Sequence, residues 1–245
     1  MNTTVTATGM QITAKSDSVY LLIDQKSAYD TREAASAGTG LSGIQNAAAS
    51  HMRVTLVSEN NELYPSAWKK FDPAVTNSSG VALGSEKTSG TSGVGAEIAD
   101  ATNWYKAMAA TVSSSAAQAN GGQALTAFTE YVKVYEYVLT LAVGSNEVPA
   151  DKLKVTYTPT MTNVKSGASE TMQAVRVLVV CGDRFEEFSS SHTTGSVTLN
   201  ASAITASSVT NVTVYVYYDG NDSSVYTNNI ANLEGATFEL AFSVE

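Results

Sequence analysis

Residues 237–245 read TFELAFSVE, and the large apolar side chains in this stretch alternate with small or polar ones. A period of two places every second side chain on the same face of an extended strand. The stretch therefore predicts a half-buried β-strand, and other segments of the chain have the same period.

Residues 212–217 and 153–157 repeat the alternation and predict strands with one wet face. Residues 131–143 and 175–181 are apolar at both parities and predict central strands. Shorter strands are predicted at residues 19–23, 52–56 and 197–199. About eight to ten strands separated by Gly, Asn, Asp and Ser turns are typical of an all-β protein, here a jelly-roll-like two-sheet antiparallel sandwich.

Two segments interrupt the β pattern. Apolar residues recur at helical spacing over residues 98–112, after Asp100 as a candidate cap, so we expect one or more short helices inserted between strands. Residues 77–95 are dense in Ser, Thr and Gly and predict an exposed flexible loop.

The charge balance excludes two kinds of partner. Fourteen Lys and Arg against twenty-three Asp and Glu give a net charge of -9, which repels nucleic acid and anionic membrane surfaces. No apolar run approaches the ~18 residues of a spanning helix, so we expect no membrane insertion. Because charged residues are only 15% of the chain, the polar surface is largely uncharged, a balance common outside cells.

No familiar catalytic or nucleotide-binding motif occurs in the sequence, which predicts a protein that is not an enzyme. The single cysteine, Cys181, lies in an apolar stretch and is expected to be a small core residue. His51 and His192 lie among small polar residues, and both are expected to be exposed at loops or strand ends. Glu186 and Glu187 are adjacent on an extended segment and should point apart as solvated charges. A catalytic centre is expected at none of these positions, and no cofactor is expected.

Two other sites remain open. Asp219, Asn221 and Asp222 gather oxygen ligands that suit calcium, although Asn, Asp and Gly are also ordinary turn residues. Tyr215 and Tyr217 with Trp104 could form a platform for the sugar rings of a polysaccharide, although strand tyrosines also form cross-strand packing pairs.

The alternation slips by one residue near the N-terminus. Val5 and Ala7 share one parity, whereas the apolar residues after Gly9 occupy the other. One regular strand cannot place both sets on the same face, so either Gly9 marks a bulge or the segment before it is a separate arm. Under the second alternative, the chain divides into an arm at residues 1–9, a candidate donor strand, and a single domain at residues 10–245.

Three segments resemble the TasA and camelysin group of secreted bacterial biofilm-matrix proteins. They are TATGMQITAK at residues 6–15, LEGATFELAF at residues 233–242, and the NWYK insertion at residues 103–106. The first residues lack a basic n-region and an apolar h-region, so we expect any signal peptide to have been removed already.

The resemblance implies a jelly-roll subunit that is secreted and assembles with itself into extracellular fibres, where the N-terminal arm of one subunit completes the sheet of the next. For this chain it implies an arm interface at residues 4–8. The side chains of Val5 and Ala7 would face the acceptor, and those of Thr4, Thr6 and Thr8 would be exposed. A non-catalytic carbohydrate-binding or adhesin module on the cell surface is the alternative.

Overall fold

A computed structural model gives the fold of residues 5–6, 11–16, 21–25, 52–56, 62–64, 66–68, 94–108, 118–129, 131–141, 152–161, 167–198, 210–219 and 237–244. Most of these residues lie in β-strands, as the sequence predicts. Within these ranges, no helix is long and apolar enough to cross a membrane.

The strands and short helices have the following bounds in chain order: β1 (Val5–Thr6), β2 (Gln11–Ser16), β3 (Leu21–Gln25), β4 (Met52–Leu56), β5 (Glu62–Leu63), β6 (Ser66–Trp68), α1 (Gly95–Ala99), a 3-10 turn (Ala101–Asn103), β7 (Trp104–Met108), β8 (Gln118–Ala124), β9 (Val132–Leu141), β10 (Lys152–Thr160), α2 (Ala168–Gln173), β11 (Val175–Cys181), β12 (Arg184–Phe188), β13 (Thr194–Thr198), β14 (Thr210–Tyr218) and β15 (Thr237–Val244).

The first five-stranded sheet joins strands from both ends of the chain in the order β13-β10-β15-β2-β4. The period-two prediction for its C-terminal strand is confirmed, since Phe238, Leu240 and Phe242 are all buried. Strand β15 is antiparallel to β10 but parallel to β2, so the expectation of purely antiparallel pairing is wrong there. Parallel neighbours need a crossover connection, and the long chain between β2 and β15 supplies it.

The second five-stranded sheet has the order β12-β11-β14-β9-β3, and all of its pairs are antiparallel. Strands β11 and β9 have neighbours on both sides, which confirms the two predicted central strands. Arg176 is the one residue of β11 that is only partly buried.

Strand β14 is buried on both faces, so the prediction of one wet face is wrong for this strand. Val214 and Val216 lie on one face, and Tyr215 and Tyr217 lie on the other. The tyrosine face, defined by Tyr215, Tyr217 and their neighbour Leu178 on β11, packs against Trp68 and other apolar residues. These residues belong to α1 and to the three-stranded sheet β6-β7-β8, which together we call the covering layer.

Within the described residues 94–108, the predicted helix at residues 98–112 is α-helical only up to Ala99. Helix α1 ends at Ala99, and the chain then forms a 3-10 turn. Asp100 caps the start of this turn, because its carboxylate accepts a hydrogen bond from the N–H of Thr102 at 2.9 Å. From Trp104 the chain is a strand, because its backbone pairs with β6 and β8. Tertiary pairing therefore overrides the helical spacing of the side chains, as it does for many weak local preferences.

Helix α1 sits directly on the turn between β11 and β12. The Val94 N–H donates to the Asp183 carbonyl at 3.0 Å, and a Cβ at Gly95 would lie 2.1 Å from the Gly182 carbonyl oxygen. Gly182 itself has a φ of 65°, a conformation that L side chains rarely adopt. Only glycine at position 95 allows this close approach of two backbones. The predicted exposed loop at residues 77–95 is thus wrong at its end, where Val94 and Gly95 are buried; residues 77–93 lie outside the described ranges.

We predict that Gly95→Ala destabilises the protein although alanine favours helices. Overpacking against backbone should lower the free energy of unfolding by about 1–3 kcal/mol, which outweighs the gain in helix propensity. Urea unfolding followed by tryptophan fluorescence would measure the change. Glu97→Ala, at a half-buried position in the same helix, is the control; equal or higher stability of Gly95→Ala would show that α1 does not touch the turn.

Candidate functional site

The N-terminal strand is separate from the strand that follows it. Strand β1 pairs antiparallel with β5, with Val5 opposite Leu63 and Thr6 opposite Glu62, whereas β2 belongs to the first five-stranded sheet. One regular strand therefore does not continue through Gly9, as the slip in the alternation indicates. Thr4, Ala7 and Thr8, the other residues of the predicted arm interface, lie outside the described residues.

The partner of the N-terminal strand is tied to the covering layer. Tyr64 follows β5 directly, and its ring centroid lies 5.5 Å from that of Tyr131 at the start of β9. Ser66 then begins β6, is fully buried, and donates from its hydroxyl to the Tyr131 carbonyl at 3.5 Å. Strand β5 is thus followed directly by a segment that Tyr64 and Ser66 attach to Tyr131 at the start of β9.

Asp219, the first residue of the predicted calcium site, lies in a buried charge network. The Arg176 Nη2 is 3.3 Å from the Asp219 carboxylate, and its Nε is 3.6 Å from the Glu187 carboxylate. Arg176 also donates to the Gln173 carbonyl at the end of α2. One guanidinium group therefore links α2, β11, β12 and the end of β14.

Tyr217 completes this network from the tyrosine face. Its hydroxyl donates to Glu187 at 3.2 Å. Burial, followed by the negative charges of Glu187 and Asp219, raises the pKa of Tyr217 well above its ordinary value. The phenol therefore remains a hydrogen-bond donor at every physiological pH.

The charge network involves one of the predicted calcium ligands. Asp219 is already paired with a cation, and Asn221 and Asp222 lie outside the described residues. Within the part of the chain that the structure describes, no cluster of three or more His, Cys, Asp or Glu side chains could hold a metal ion. Calcium at residues 219–222 stays a prediction, with one of its candidate ligands engaged elsewhere.

The three rings of the predicted sugar platform come together, but inside the protein. The Trp104 ring centroid lies 4.9 Å from that of Tyr217 and 6.1 Å from that of Tyr215. Trp104 is 0% exposed, Tyr217 1% and Tyr215 4%. The indole N–H of Trp104 donates to the Ile98 carbonyl at 2.9 Å. These residues form the core between the tyrosine face and the covering layer, which leaves no open ring face for a sugar.

Glu186 and Glu187 point to opposite faces of β12, as expected for neighbours on a strand, but both are buried and the prediction of solvated charge is wrong. Glu186 packs over Gly195, where a Cβ would lie 2.6 Å from its carboxylate. Its Oε1 is 2.7 Å from Nε2 of His192, whose side chain is about half exposed as predicted. His51 lies outside the described residues. The one sequence signal for this burial was the pair of phenylalanines that flank the two glutamates.

Cys181 is enclosed at the end of β11. Burial raises the pKa of its thiol to about 12, so the thiol stays protonated near neutral pH. A protonated thiol is a poor nucleophile, which agrees with the expectation of a core residue.

Comparison with known proteins gives no relative. No protein-family model, no curated protein and no solved structure matches this chain.

Proposed function

We propose that this chain is a secreted structural subunit of extracellular fibres, which assembles with itself by adding its N-terminal strand to a neighbouring copy. The observation that carries the proposal is the position of β1. This strand lies outside both five-stranded sheets, and its described pairing covers only Val5 and Thr6.

Pairs that contribute little are easy to exchange. Each backbone hydrogen bond contributes about 0.5–1.5 kcal/mol net, so the two described pairs, Val5 with Leu63 and Thr6 with Glu62, contribute only modestly to holding β1 in place. A strand released in this way can pair with an equivalent partner in another molecule. Because the donor and the acceptor are different surfaces, the contact is head-to-tail, and repetition produces an open filament instead of a closed dimer.

The body of the subunit is, in this proposal, a jelly-roll-like two-sheet sandwich. Contacts between the two five-stranded sheets support it: the Tyr137 ring on β9 lies 6.3 Å from Phe242 on β15, and Glu186 on β12 packs over Gly195 on β13. A rigid, well-packed body suits a fibre subunit, because flexibility within each copy would accumulate along the fibre.

The composition and the resemblance to the TasA and camelysin group support a location outside the cell, on the surface or in a biofilm matrix. With one cysteine no internal disulfide can form, so stability must come from the core, and a chain of 245 residues can bury enough surface for that. The proposed role requires no catalytic centre and no cofactor. The carbohydrate-binding alternative lacks comparable support, since its three rings are buried.

Deleting residues 2–8 is predicted to abolish filaments while leaving a folded monomer. Both five-stranded sheets begin after this segment, so the core should remain. Negative-stain electron microscopy and sedimentation would detect the loss of filaments, and circular dichroism would confirm the fold.

The matched control is Lys152→Ser, at an exposed position on β10 away from the arm, which should assemble as the unaltered protein does. Filaments of normal length from the truncated protein would refute strand addition by the arm.

A further inference from the structure

The register between β1 and β5 defines a complete donor–acceptor pair within one chain. In the antiparallel register Val5 is opposite Leu63 and Thr6 is opposite Glu62. The donor belongs to the segment predicted to leave the domain, and the acceptor is continuous with Tyr64 and Ser66, which contact Tyr131. Strand β5 is thus anchored to the body of the domain, whereas β1 belongs to the segment that is predicted to leave it.

We propose that β5 of the neighbouring copy is the acceptor for β1, so that the pairing within one molecule is the closed form of the same contact that joins two molecules. This inference rests on the proposed function and names its acceptor.

Exchange of an identical element conserves the contacts, because each β5 regains the same partner residues from another copy. The balance between the closed form and the linked form then depends mainly on protein concentration. Two consequences follow. Assembly should rise steeply with protein concentration, and a covalent bond between β1 and β5 of one molecule should prevent it.

Opposed residues on antiparallel strands have Cα atoms within the 4.4–6.8 Å that a disulfide spans, at about 4.5–5.5 Å. Val5→Cys and Leu63→Cys, introduced in separate proteins and mixed before assembly, should therefore become linked between molecules on oxidation. We expect a disulfide dimer on non-reducing gels that is several-fold more abundant than the dimer from Val5→Cys mixed with Glu62→Cys, which is out of register by one residue. The protein with Cys181 alone is the background control, and its buried thiol should give little dimer.

The double variant Val5→Cys with Leu63→Cys gives the complementary measurement. Oxidised as a dilute monomer, it should form an internal disulfide and fail to make filaments, and a reducing agent should restore them. Loss of assembly in the oxidised form alone also separates the effect of the bond from any effect of the substitutions.

The outcomes distinguish the two proposals. If filaments form but the in-register cysteines link no better than the offset pair, β5 is not the acceptor, although strand addition by the arm still stands. If the unaltered protein forms no filaments at any concentration, the fibre function fails and this inference fails with it.

Discussion

Replacing Trp104 with alanine is expected to lower the free energy of unfolding by about 3–5 kcal/mol, the usual cost of deleting a large buried ring. Trp104 is fully buried and its ring contacts Trp68, Phe128, Tyr215 and Tyr217. Its removal would open a cavity between the tyrosine face and the covering layer, and would leave the Ile98 carbonyl without its indole donor. Chemical denaturation at equilibrium, followed by circular dichroism, measures the loss.

Two variants make this result specific. Trp104→Phe keeps a ring but removes the N–H, so it should cost clearly less than alanine, and the difference reports the packing. Val134→Ala, at a 40% exposed position on β9 of the second five-stranded sheet, should change stability by less than about 0.5 kcal/mol. A loss below about 1 kcal/mol for Trp104→Ala would mean that the covering layer does not pack on the tyrosine face.

Replacing Arg176 with methionine should also cost about 3–5 kcal/mol, because it removes the cation between two buried carboxylates. The side chains of Glu187 and Asp219 are 8% and 9% exposed, so water cannot solvate their charges well. The unfolding free energy of the variant would be compared with that of Lys152→Ala, at an exposed position where little change is expected.

Neutralising the carboxylates tests the cause of that loss. Arg176→Met combined with Glu187→Gln and Asp219→Asn removes the uncompensated charge while keeping similar volumes, so it should recover a large part of the stability. No recovery would indicate that the contribution of Arg176 is its packing or its bond to the end of α2, and not its charge.

Much of the sheet structure could be predicted from local pattern. The alternation in residues 237–245 and the apolar runs at residues 131–143 and 175–181 correspond to β15, β9 and β11. Side-chain period reports which faces of a strand are buried, and this information lies within a few consecutive residues. The helix predicted over residues 98–112 is wrong at Trp104–Met108, because the pairing of this strand with β6 and β8 depends on residues outside the local pattern.

The candidate sites were less predictable than the strands. Tyr215, Tyr217 and Trp104 were correctly placed near one another, but their exposure depends on the covering layer. The charge network was missed because Arg176, Glu187 and Asp219 are separated in sequence and carry no motif. The slip at Gly9 did indicate a break between two strands, since it is a local violation of strand period.

The sequence by itself determined the β class, the positions of the main strands, the core character of Cys181 and the break in strand period near Gly9. Only the tertiary structure decided that β2 runs parallel to β15, that the covering layer buries the tyrosine face, that Arg176 joins two carboxylates, and that β1 pairs with β5. Burial period is a property of neighbouring residues, whereas partners across a sheet or between layers are chosen among all segments of the folded chain.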